Sequence, residues 1–105
     1  MKLTVLGAGC WGLTLAWLLT NNFDKITVWG REQDLSEDLK NNKHCSKPLE
    51  IRLADKVEIT SDLADAISNA DIILSVVATS GTRDVCEKLK SAGIKPDQIL
   101  VNASK

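Results

Sequence analysis

The chain has little with which to cross-link itself and nothing long enough to cross a bilayer. Its three cysteines are Cys10, Cys45 and Cys86. An odd count without paired spacing argues against a disulfide framework and for a reduced, cytoplasmic setting. No apolar run approaches the roughly 20 residues that span a membrane. Nothing at the start reads as a secretory leader, because a lone Lys2 precedes a short apolar stretch. Excess charge is also missing: 13 basic residues face 14 acidic ones, for a net charge of -1. Neither nucleic acid nor an anionic membrane surface is therefore an expected partner. Repeats and low-complexity tracts are absent. His44-Cys45 lacks the further ligands a zinc site needs, so no metal is expected. A length of 105 residues with 44% hydrophobic content suits one small domain with a packed core.

What the chain does have is alternation. Lys2–Leu6, Lys25–Trp29, Val57–Thr60, Ile72–Val77 and Ile99–Asn102 read as strands. Cys10–Asn21, Glu32–Asn41, Leu63–Asn69 and Thr82–Ser91 read as helices between them. Asn41–Lys56 is polar, contains Pro48 and reads as a loop with at most a short helix. Thr60-Ser61-Asp62 offers caps for the helix that follows, and Gly93 suits a helix C-terminus. The nearly continuous apolar run Ile72–Val77 fits a central parallel strand buried on both faces. The expected fold is α/β, a Rossmann-type open parallel sheet with helices on both faces and strand order 3-2-1-4-5. That fold ordinarily has a sixth strand, and this chain stops before one could form.

The first strand runs directly into Gly7-Ala8-Gly9-Cys10-Trp11-Gly12 and then into an apolar helix. This is a G-x-G-x-x-G loop in the strand–turn–helix setting where the motif binds a dinucleotide. Gly7 allows a sharp turn, Gly9 admits the pyrophosphate, and Gly12 allows the helix to pack closely on the strand. The first-turn N–H groups of Cys10, Trp11 and Gly12, with the helix dipole, favour an anion. Trp11 is either a core aromatic or a neighbour of the cofactor.

In NAD-specific folds an acidic residue ends the second strand, about 20 residues past the glycines, and binds the ribose 2′-hydroxyl. Here Val28-Trp29-Gly30-Arg31 stands at that place, with Arg31 nineteen residues after Gly12. A guanidinium can pair with a 2′-phosphate and stack on adenine. NADP(H) is therefore the preferred cofactor, with NAD(H) as the second choice because Glu32 follows at once. Ligands of open parallel sheets bind beyond the carboxyl ends of the strands. The turn Ala78-Thr79-Ser80-Gly81 and the stretch Asn102–Lys105 fall on that edge too. The Thr79 and Ser80 hydroxyls read as helix caps rather than cofactor contacts. Lys105 could stabilise negative charge on a reduced carbonyl oxygen or hold a substrate phosphate, or it could be a plain terminal lysine. Cys86 reads as packing, and Asp62, Asp65 and Asp71 as caps and solvent-facing charges.

Taken together, these residues resemble the NAD(P)-dependent glycerol-3-phosphate dehydrogenases. The resemblance lies in Gly7-Ala8-Gly9-Cys10-Trp11-Gly12 with Leu15-Ala16, in Val28-Trp29-Gly30-Arg31, in Asp71–Val77 and in Ala103-Ser104-Lys105. It is looser at Ile59–Leu63. Departures are Ala78-Thr79 where the family usually has Pro-Ser, Leu53-Ala54 where it has Leu-Pro, and the poorly matching Asn41–Lys56. The resemblance implies that residues 1–105 are an N-terminal cofactor domain, and that a C-terminal helical domain carrying the principal catalytic lysine lies elsewhere. It implies interconversion of dihydroxyacetone phosphate and sn-glycerol 3-phosphate by hydride transfer, feeding glycerophospholipid synthesis. It assigns cofactor contacts to Cys10, Trp11 and Arg31, and a shared cofactor and substrate contact to Lys105. No catalytic residue falls within the chain, so alone it would bind cofactor without turnover. A small phosphate substrate is the implied partner, and a homodimer is the candidate assembly of the full-length enzyme. Two other readings compete: the cofactor domain of a ketopantoate or pyrroline-carboxylate reductase, and a nucleotide-sensing module without chemistry.

Overall fold

The inner strands of the main sheet alternate their side chains between two buried faces. A computed structural model describes residues 1–7, 10–31, 35, 44–45, 51–54, 56–68, 70–76, 87–91 and 93–102. The elements are β1 (Lys2–Leu6), α1 (Cys10–Leu18), a 3-10 turn (Thr20–Asn22), β2 (Lys25–Trp29), β3 (His44–Cys45), β4 (Ile51–Arg52), β5 (Val57–Thr60), α2 (Leu63–Ile67), β6 (Ile72–Ser75), α3 (87–91) and β7 (Ile99–Asn102). Five strands form one sheet in the order β5-β2-β1-β6-β7, and every pairing is parallel. Numbered within the sheet, this is the expected 3-2-1-4-5 arrangement of a Rossmann fold.

On one face Leu3, Val5, Ile26, Val28 and Leu74 pack with Leu13 and Ala16 of α1 and with Leu35, Leu53 and Val57. On the other, Leu6, Trp29 and Ile73 pack with Ala66 and Ile67 of α2, Ala70, and Leu89 of α3. Period-two alternation with both faces apolar is what a central parallel strand requires. Thr4 interrupts the second face, and its hydroxyl donates to the Ala66 carbonyl at 2.5 Å, so the buried oxygen is satisfied. At the amino edge the Met1 ammonium meets the Asp24 carboxylate at 2.6 Å. That hydrogen bond and charge hold the exposed Asp24 carboxyl below its ordinary pKa.

Local signals predict most helix boundaries and miss some. Asp62 caps α2 by accepting the Asp65 N–H at 3.2 Å. The chain leaves α3 with Ile94 N–H on the Leu89 carbonyl and Gly93 N–H on the Lys90 carbonyl, the paired bonds of a Schellman cap. α1 ends at Leu18 rather than Asn21, because the chain tightens into the 3-10 turn. α2 stops at Ile67 rather than Asn69, and β6 at Ser75 rather than Val77. The stretch read as a loop holds the antiparallel pair β3–β4, with His44 opposite Arg52 and Cys45 opposite Ile51. Two-residue strands are too short to show period-two patterning, so nothing in the sequence marks them. The expected helix Glu32–Asn41, apart from the buried Leu35, and the N-terminal part of Thr82–Ser91 lie outside the described residues.

Candidate functional site

At the carboxyl edge, three hydrogen bonds carry the sheet ladders past the ends of the strands. Gly7 N–H donates to the Trp29 carbonyl at 2.8 Å, Gly30 N–H to Thr60 at 3.1 Å, and Val76 N–H to Leu6 at 2.9 Å. The ends of β1, β2, β5 and β6 are thus held in register where the glycine motif begins.

Gly7 turns the chain out of β1 with φ +123°, a region L side chains rarely adopt. A Cβ there would also sit 3.0 Å from the Val76 carbonyl oxygen. At Gly12 the constraint is space: a Cβ would collide with the Gly7 carbonyl oxygen and come within 2.9 Å of Val76 Cγ2. The first turn of α1 therefore lies against the exit of β1, as the motif requires. Cys10 opens the helix, and Trp11 is 42% exposed and hence not a core aromatic. A helix start at this edge, with its positive dipole end, can receive an anion such as a pyrophosphate.

Arg31 follows the tip of β2 and is exposed on the same edge. The β1–β2 pairing, which sets Leu6 opposite Trp29, thus places the start of the glycine motif and Arg31 just past the ends of neighbouring strands. Gly9, Glu32, Thr79, Ser80, Cys86 and Lys105 lie outside the described residues. The side chain of Trp29, to which the sequence assigns no role beyond strand and motif, closes the tip from the opposite face. Its indole is 4% exposed and its Nε1–H donates to the Ser61 carbonyl at 3.0 Å. The available signal was chemical: a buried indole needs an acceptor. Among the described residues no three metal-ligating side chains come together, and no helix is long and apolar enough to cross a membrane.

Sheet order, glycine turn and close helix approach define a dinucleotide-binding domain of the Rossmann class. The chain belongs to the NAD-dependent glycerol-3-phosphate dehydrogenase family, whose N-terminal model matches residues 2–105. A glycerol-3-phosphate dehydrogenase (NAD(P)+) of Thermoanaerobacter is 35% identical over all of this chain, which covers 32% of that protein. One from Fusobacterium nucleatum is 36% identical, with 100% of this chain and 31% of that protein covered. The solved glycerol-3-phosphate dehydrogenase of Saccharomyces cerevisiae superposes with a TM-score of 0.83 at 24% identity, over 100% of this chain and 33% of that one. The chain thus spans about a third of the length of the relatives it matches. Its family is one of NAD(P)-dependent oxidoreductases acting on small molecules.

Proposed function

We propose that this chain is the N-terminal cofactor domain of an NADPH-preferring glycerol-3-phosphate dehydrogenase. The observation that carries the reading is the close approach of Gly7, Gly12 and Val76, where an added Cβ would collide with main chain. A strand exit and helix start packed this closely are what the dinucleotide-binding turn requires. Gly7, Gly9, Cys10, Trp11 and Gly12 would hold the pyrophosphate, the glycines by letting backbone N–H groups approach. Arg31, at the tip of β2, would pair with the 2′-phosphate, and Lys105 would contact both cofactor and substrate. When bound, the reduced nicotinamide supplies the hydride that converts dihydroxyacetone phosphate to sn-glycerol 3-phosphate, a precursor for glycerophospholipids. The principal catalytic lysine and most of the substrate pocket would come from a C-terminal helical domain, so residues 1–105 alone would bind without turnover. The odd cysteine count suits a cytoplasmic enzyme, and a homodimer is its proposed assembly.

Calorimetric titration with NADPH and NADH tests the reading. NADPH should bind more tightly. Arg31→Ala should weaken NADPH by about tenfold or more, the scale of one lost charge-assisted contact, and NADH far less. Equal losses would remove Arg31 from the 2′-phosphate. No binding of either cofactor by the folded protein would refute the cofactor assignment.

A further inference from the structure

One residue ties the tip of β2 in two directions. The Trp29 carbonyl accepts the Gly7 N–H of the glycine loop, and its indole Nε1–H reaches the Ser61 carbonyl beyond the end of β5. The next residue, Gly30, donates to Thr60. Beneath the tip the indole packs with Leu6, Ala66, Ile67 and Leu89, and the Lys88 ammonium stands 5.9 Å from its ring centre. The acceptor turn is itself braced, because Thr60 Oγ1 accepts the Asp62 N–H at 3.0 Å. Main-chain and side-chain bonds therefore fasten β2 to β5 just ahead of Arg31.

We propose that Trp29 is a positioning residue for Arg31, so that its indole sets how strongly the site prefers a dinucleotide bearing a 2′-phosphate. The inference rests on the Arg31 assignment above. A guanidinium pairs bidentately with phosphate only when its fork is placed within about 0.5 Å of the productive geometry. Arginine has many rotamers, and a backbone already fixed at its base leaves less to order on binding. An unphosphorylated ribose does not draw on that placement. The Gly7 bond uses the Trp29 main chain, so the glycine loop stays held whatever the side chain.

Trp29→Phe removes the N–H donor and keeps an aromatic ring in the core. Titration of this variant should show the NADH-to-NADPH ratio of dissociation constants reduced about three- to tenfold, the loss falling on NADPH. NADH affinity should stay within about twofold. Thr60→Val, which loosens the clamp from its other side, should shift the ratio in the same direction. Ile26→Val lies in the apolar cluster on the other face of the sheet and should leave the ratio unchanged. In an Arg31→Ala background, Trp29→Phe should have no further effect on it. An unchanged ratio in both Trp29→Phe and Thr60→Val, with Arg31→Ala still selective against NADPH, would overturn the positioning role alone. Equal loss of both cofactors in Arg31→Ala would instead overturn the assignment beneath it.

Discussion

Gly12 shows how the absence of one carbon atom shapes this domain. Within a helix, glycine is about 1 kcal/mol worse than alanine, so Gly12→Ala ought to stabilise α1 on propensity alone. Its Cβ, however, would strike the Gly7 carbonyl and crowd Val76. The collision is with main chain, which cannot rotate away, and overpacking of this kind costs about 1–3 kcal/mol. Gly12→Ala is therefore expected to lower the melting temperature by circular dichroism and to weaken both cofactors together. A more stable variant that still binds would show that the helix start can shift without loss. The need for Gly12 is legible because the motif is local. The role of Trp29 is not, since its acceptor lies 32 positions along the chain.

At the scale of elements, α2 has five residues and is too short to persist alone. Its N-terminus is capped from within by Asp62. Its C-terminus is served from a distant turn: Gln98 Nε2 donates to the Ile67 carbonyl at 2.6 Å and the Ala70 carbonyl at 2.9 Å. Lys95 Nζ adds a bond to Ser68 at 3.2 Å, and Gln98 Oε1 accepts the Lys95 N–H. Gln98→Ala would leave those carbonyls without their amide donor and should cost about 1–2 kcal/mol in denaturant unfolding. Gln98 precedes β7 at the amino edge, away from the glycine loop, so cofactor affinity should not change. An unaltered unfolding free energy would mean that solvent serves these carbonyls equally well. The N-cap is readable three residues ahead. The C-terminal clamp requires the fold to bring residues 67–70 and 95–98 together.

Over the whole molecule, α1 is apolar on both sides. Leu13 and Ala16 are buried against the sheet, while Trp17 and Leu18 are 53% and 58% exposed. β7 likewise leaves Ile99, Leu100 and Val101 exposed at the sheet edge. A cofactor that binds only the folded chain adds stability by mass action, about 2.7 kcal/mol at a hundredfold excess over its dissociation constant. Thermal melts should accordingly rise by several degrees with NADPH, and by less with NADH at equal concentration. In Arg31→Ala the difference between the two should vanish. Melts unmoved by either dinucleotide would count against a cofactor site at the carboxyl edge.

Strand and helix alternation, the parallel sheet order, the glycine loop and the place of Arg31 follow from the sequence by itself. Each depends on periodicity or spacing within a few residues, or on handedness rules common to all such folds. The C-terminal ends of α1 and α2, the β3–β4 pair, the Gln98 clamp and the Trp29–Ser61 bond were decided only by tertiary structure. Their partners are separated along the chain, and a hydrogen bond between distant residues leaves no periodic mark on either segment. The short strands β3 and β4 are held by neighbours rather than by propensity. Local chemistry thus chose the fold and the loop, while packing decided how firmly the loop and the tip of β2 are held against each other.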